Sequence, residues 1–368
     1  MQSRLIGTLV LVLSLLATPA ATASVAPDHR ITAADDVAGP GSYLAIVDHG
    51  ARGDHGIEPR RQRLALVAPD GTQRTVLERQ GTGYRSVRLV DWSPDGSTAL
   101  LLTGPEDRTR AITVDVATGD TTTTRVPSDA ASVLLDPAGA GLLIAAFGDR
   151  TGQPLYRLAW DGTRTDLDVR VAGTLLVSPD GTSLLTNGQS WRAKVMRVLS
   201  ATDGSVVRRI AVDGRCQPVR WWDDHRALLT CGRDLALLDP ATRTMRRLTD
   251  QHALGIGDLG HLDARRVVSG LYVQVAGGCG DEFIGRRHHD GRVTAVRFPH
   301  AIGDVHLLGT AGDRLVVEHA QSCDGAAPRS VIARFAPTTG HERTLVRLPS
   351  SEAFGRILAF GERHPLGS

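Results

Sequence analysis

From Tyr43 onward, short runs of Val, Leu, Ala and Thr alternate with turn dipeptides, and no stretch keeps a helical apolar period over a dozen residues. The pattern predicts strands throughout. Two series of turns recur along it. One runs through Trp92-Ser93-Pro94-Asp95-Gly96, Asp136-Pro137-Ala138-Gly139, Ser178-Pro179-Asp180-Gly181, Asp223-Asp224-His225, Leu262-Asp263-Ala264 and Ala311-Gly312-Asp313. Its steps are 43, 42, 44, 39 and 48 residues. The other runs through Asp70-Gly71, Thr118-Gly119, Asp161-Gly162, Asp203-Gly204, Ala241-Thr242, Asp290-Gly291 and Thr339-Gly340, with steps of 48, 43, 42, 38, 49 and 49. Two interleaved series of one period imply a repeated four-stranded unit with two tight hairpins. Asp-Gly suits hairpins whose two central residues both take positive φ.

A four-stranded unit of about 40–50 residues is the signature of a β-propeller blade. The second series counts seven blades, so the expected fold is all-β, a seven-bladed β-propeller. Its first blade is short of one strand, since Tyr43–Val47 and Arg63–Leu77 supply about three. The apolar segment Phe354–Phe360 is expected to complete that blade and close the ring, which removes open sheet edges. The alternatives are an open pair of sandwiches and a six-bladed ring with one misread unit.

Before the repeats, Arg4 precedes an apolar run from Leu5 to Leu16, then Pro19 and the small residues Ala21, Thr22 and Ala23. This order is that of a secretory signal over residues 1–23. The run is short of the roughly 20 residues that cross a bilayer, so no membrane span is expected after cleavage; an uncleaved anchor is the alternative. Residues 24–41 read as a flexible linker and 42–368 as the propeller. The expected location is secreted or extracytoplasmic.

The units at residues 90–103, Val-Asp-Trp-Ser-Pro-Asp-Gly-Ser-Thr-Ala-Leu-Leu-Leu-Thr, and at 175–186 resemble the WD-repeat-like propeller units of the Tol translocation protein B family. They are also similar to the propeller of prolyl oligopeptidases. The resemblance implies a fold and not an activity. The separate N-terminal α/β domain of the Tol protein has no counterpart here, so its partner is not carried over. The chain is expected to end as the propeller closes, with no hydrolase domain after it.

Export gives the four cysteines an oxidising setting, where an even count implies disulfides. Cys216 and Cys231 are centred on the turn at Asp223 and Asp224 and should face each other across one hairpin. Cys279 and Cys323, one blade period apart, are expected to bridge two neighbouring loops. Without a Cys-x-x-Cys pair a zinc site is not indicated.

Charge excludes one class of partner. With 42 basic and 40 acidic residues the net charge is +2, and there is no summed field for nucleic acid. Ligand chemistry is therefore sought on the longer loops: 48–63, 104–110, 148–154, 188–194, 231–234, 277–287 and 320–329. Each holds an arginine and most an aspartate, which form either a ring around the channel mouth or salt bridges between blades. The candidate ligand-binding residues are His49, Asp54, His55, Arg108, Asp149, Arg150, Trp191, Arg192, Arg233, Asp281 and Glu282.

A metal site from His49, Asp54 and His55 lacks a helical frame. Arg52-Gly53-Asp54 is a tripeptide expected by chance in such a chain. Asp281 and Glu282 form either a calcium site or a solvated acidic loop, and no other cofactor is indicated. His288 and His289 are placed on a third strand, and Trp221 and Trp222 in packing between blades. No nucleophile elbow, His-Glu-x-x-His helix, phosphate loop or dinucleotide fingerprint occurs.

The expected function is that of a monomeric, non-catalytic propeller binding a protein, peptide or cell-envelope component through its longer-loop face. The alternative is a propeller enzyme, a lactonase or glycan lyase, using His and acidic groups from several blades. An enzyme requires two or more of His49, His55, His252, His300 and the loop carboxylates to converge.

Overall fold

The computed structural model describes residues 38–53, 56–80, 86–105, 108–148, 152–172, 174–188, 194–250, 260–277, 282–321 and 329–360; the side chains of 51–59 are not described. Twenty-eight strands among these residues form seven four-stranded antiparallel sheets. The inner strands of blades 2 to 7 are Val87–Trp92, Ala130–Leu135, Leu175–Val177, Cys216–Trp221, Gly260–Val267 and Ala301–Ala311. In blade 1 the inner strand is the C-terminal Glu352–Ala359, followed outward by Tyr43–Gly53, Gly56–Val67 and Gln73–Gln80. The ring is closed as the turn count predicts, with Tyr43 opposite Ala359 and Val47 opposite Phe354.

The cores lie between blades. Seven apolar clusters fill the seven gaps; one joins Leu44, Ile46 and Leu64 of blade 1 to Leu89, Trp92 and Leu101 of blade 2. This explains why second strands such as Thr98–Thr103 read as unbroken apolar runs: Leu101 faces blade 1 and Leu100 faces blade 3. Outer strands such as Thr121–Arg125 are largely exposed and correspondingly polar.

The Asp-Gly hairpins differ from the expected geometry. Only the glycine has positive φ, +98° at Gly71 and +88° at Gly162, while the aspartate side chain binds the backbone two residues on. Asp70 accepts from Thr72 N–H at 2.8 Å and Asp161 from Thr163 N–H at 2.8 Å. These turns need aspartate as an acceptor rather than as a left-handed residue. In the Ser-Pro-Asp-Gly turns the serine adds a second tie. Ser178 Oγ donates to Asp180 and accepts from Ser183 N–H at 2.9 Å. Gly96, at φ +74°, sits so close to Phe360 and Ala38 that a Cβ would clash with both.

Four other expectations are corrected. The blade 6 inner turn lies between Val267 and Gly270, and Asp263 is inside a strand. Residues 48–53 and 56–63 are strand and not loop, because two strands continue as a long hairpin past a bulge at His49/Gly50. His288 and His289 follow the third strand, Glu282–Arg287, in the turn itself. Ala38, at the end of the expected linker, is 8% exposed and packs in the core between blades 1 and 2. Residues 1–37, which include the expected leader and most of the expected linker, lie outside the described residues.

Cys216 and Cys231 are paired in register and joined by a disulfide, with Cα atoms 4.0 Å apart. Cys279 and Cys323 lie outside the described residues. Closing a 15-residue span should add about 2–3 kcal/mol to stability in the chain-entropy view. A Cys216→Ala/Cys231→Ala protein is expected to show that loss in guanidinium unfolding; an unchanged midpoint would contradict it.

Candidate functional site

Two openings lie on opposite faces of the ring. On the tight-turn face a cleft of about 630 Å³ runs over the turns of blades 2 to 4, lined by Trp92, Asp95, Asp136, Trp160 and Asp180. Its acids are committed to structure. Asp95 accepts from Ser93 and Ser97, Asp180 from Ser178 and Thr182, and Asp136 pairs with Arg157 at 3.0 Å. The hydrogen bonds from Ser93 and Ser178 lead in holding Asp95 and Asp180 below the ordinary carboxylate range.

On the longer-loop face a pocket of about 550 Å³ opens between blades 2 and 3 and the closing strand. Val90, Leu102, Val126 and Val133 form its apolar wall, and Phe147, 63% exposed, stands at its rim. Arg88 and Arg356 enter it from neighbouring inner strands.

A third arrangement carries acid–base character. Glu282, at the start of a blade 6 strand, meets His306 on the inner strand of blade 7, with Oε2 3.2 Å from Nδ1. Nε2 of the same ring lies 3.7 Å from Glu318, its cross-strand partner. Gln274 holds the assembly. Its amide donates to Glu282 at 3.0 Å and to Val305 O at 2.8 Å, and accepts from Leu307 N–H at 2.7 Å. The backbone N–H of Glu282 is fixed by Asp304 at 2.7 Å.

The hydrogen bond to Glu282 raises the His306 pKa against the effect of burial. The same bond lowers that of Glu282, while burial pushes that of Glu318 up. One imidazole thus stands between a carboxylate that holds charge and one that favours a proton, the separation that acid–base sites require.

The pH dependence follows. A histidine raised above 6.5 stabilises fully below that value and loses the contribution as pH climbs through its folded pKa. Glu282, lowered below 4.5, contributes above that value and loses it as pH falls through its folded pKa. The pair is therefore fully effective between about pH 4.5 and 6.5 and weakens on the alkaline side. NMR titration of the His306 ring should give a midpoint above 6.5 that falls in Glu282→Gln; an unmoved midpoint would contradict the pairing.

A second histidine pairs with a glutamate of the closing strand. His49 Nδ1 lies 3.6 Å from Glu352, which Arg63 also pairs at 3.1 Å. Val47 and Phe354 pack with Val316 and Ile332 between blades 1 and 7. Strand alternation puts His49, Glu352 and Glu318 two residues further along those faces, with His306 opposite Glu318. Glu282 and Gln274 instead continue the face of Ile284 and Tyr272 between blades 6 and 7, so the two histidine–glutamate sets flank blade 7 on different sides.

The remaining predicted residues are dispersed. Arg108 lies beside the blade 2 loop, bonded through its N–H to Pro105 O at 2.9 Å. Arg233 is exposed and its carbonyl accepts from His261 N–H at 3.0 Å. Asp54, His55, Asp149, Arg150, Trp191, Arg192 and Asp281 lie outside the described residues, as does His252. His300 is exposed.

Glu282 is committed to His306 and Gln274. Among the described residues no group of three or more His, Cys, Asp or Glu is placed to hold a metal. Trp221 and Trp222 do pack between blades: Trp221 Nε1 donates to Val177 O of blade 4 at 2.7 Å, and Trp222 joins the core with blade 6. Sequence reasoning missed His306, Glu318, Arg88 and Arg356. His306 and Glu318 are each six residues from Gly312, so folding the sequence about that turn would have opposed them.

No protein-family model matches the chain, and no curated protein matches it. Among solved structures, puromycin hydrolase is 16% identical with a TM-score of 0.52, over 85% of this chain and 53% of that one. TolB from Acinetobacter baumannii is 12% identical with a TM-score of 0.42, over 85% of this chain and 66% of that one. The chain thus spans about half of the first and just under two thirds of the second. At these identities the likeness is one of fold alone.

Proposed function

We propose that the protein is a secreted, non-catalytic β-propeller that binds a protein, peptide or cell-envelope component through its longer-loop face. The observation that carries this reading is the pocket of about 550 Å³ at the channel mouth, preformed and rimmed by the exposed Phe147. The Cys216–Cys231 disulfide supports the extracytoplasmic setting. Calcium is no part of this reading.

A crosslinking pull-down of the mature protein from its own culture, with calcium and with chelator, tests it. A specific partner should be retained under both conditions and lost with Phe147→Ser. Failure to recover any partner, together with turnover of a lactone or glycan, would overturn it. That outcome is the second reading, and the Glu282–His306–Glu318 set favours it specifically. In that case His306→Ala should abolish turnover while leaving the fold intact.

A further inference from the structure

The channel-mouth pocket holds a charge that the described residues around it leave unanswered. Arg88 is exposed on the inner strand of blade 2, and Arg356 is half-buried on the closing strand of blade 1. Both line the same pocket, yet neither guanidinium makes a hydrogen bond or ion pair with a described residue. On the inner strands of blades 5 and 6, by contrast, Arg220 and Arg265 both pair with Asp263, at 2.9 Å and 3.3 Å. Burial and the neighbouring Arg88 both disfavour the charged form of Arg356, and Asp91 only partly offsets them. Asp91 itself is bound by the backbone N–H groups of Trp92 and Leu135, each at 2.9 Å.

Among the described residues, two guanidinium groups with one nearby carboxylate leave a single net positive charge at the pocket. A monoanion balances it, whereas a phosphate dianion overshoots. Guanidinium forks match the two oxygens of a carboxylate. The opposite wall of Val90, Leu102, Val133 and Phe147 is apolar and wants an apolar body next to that anion.

We propose that this pocket binds a carboxylate carried on an apolar segment, with Arg88 and Arg356 clasping the carboxylate. The inference rests on the loop-face reading and names the chemistry of its ligand. The carboxylate is either the C-terminus of a peptide or that of a free acid, and both sources present the same group.

Isothermal titration of the mature, disulfide-bonded protein decides it with four probes: acetyl-Leu-Leu-Phe as free acid and as amide, and 4-phenylbutyrate with its amide. At least one acid should bind about tenfold more tightly than its amide, and the tighter acid identifies the source. Arg88→Gln and Arg356→Gln should each remove most of that preference. Thermal unfolding of the variants reports whether the ring remains folded, and the exposed Arg88→Gln serves as the variant least able to disturb it.

Equal binding of acid and amide, absence of binding by both acids, or an undiminished preference in folded Arg88→Gln would overturn the proposal. Tighter binding of octyl phosphate than of either acid would also overturn it. A partner captured through Phe147 that is retained by the Arg88→Gln/Arg356→Gln protein would remove this inference and leave the loop-face reading standing. Loss of all capture at the loop face would remove that reading itself.

Discussion

A chain ending at Ser351 is expected to lose its cooperative unfolding transition and to leave solution as aggregate. The closing strand Glu352–Ala359 supplies the inner position of blade 1, and its removal bares the edge of Tyr43–Gly53. It also strips two interblade cores at once. Leu358, 1% exposed, belongs to the cluster between blades 1 and 2, where Phe360 meets Trp92 edge-on at 5.6 Å. Phe354 and Ile357 pack into the cluster between blades 7 and 1. Leu358→Ala alone should cost about 2–5 kcal/mol. Urea unfolding followed by tryptophan fluorescence, with size-exclusion chromatography, checks both; a truncated chain that stays monomeric with an unchanged midpoint would contradict ring closure.

Asp263→Ala should cost about 3–5 kcal/mol, because it removes the anion from between two buried cations. Asp263 of blade 6 pairs with Arg220 of blade 5 at 2.9 Å and with Arg265 of its own strand at 3.3 Å. Arg220 also donates to the carbonyl of Ala264, and Arg265 to that of Leu308 in blade 7 at 3.3 Å. The set thus links three consecutive inner strands, and Arg220 further rests over the Trp222 ring at 5.2 Å. Replacing all three residues by apolar ones should cost far less than Asp263→Ala, since no charge is then left buried. Chemical unfolding of the single and triple variants measures the difference; equal losses would contradict a desolvation cost.

The fold was legible because turn chemistry repeats at fixed spacing. Ser178, Asp180 and Gly181 each do a defined job in one hairpin, and the same job recurs at Ser93, Asp95 and Gly96. Register about a turn was enough to pair Cys216 with Cys231. Departures came where a turn lacked those residues: the blade 6 hairpin at Val268-Ser269 carries neither glycine nor aspartate, and Asp263 stood in for it.

The candidate sites were less legible, because they join residues of different blades. Glu282 meets His306 across 24 positions and a blade boundary, and Arg88 meets the pocket of Arg356 only through ring closure. Strand periodicity says which face a side chain takes and not which blade it meets.

Hydrogen exchange of the protein, free and with any crosslink-captured partner, tests the proposed binding face most directly. The account predicts added protection at Val87–Leu89, Ala130–Leu134 and Phe354–Arg356, around the channel mouth. Protection confined to the opposite turns at Ser93–Ser97, Asp136–Gly139 and Asp180–Gly181 would contradict it.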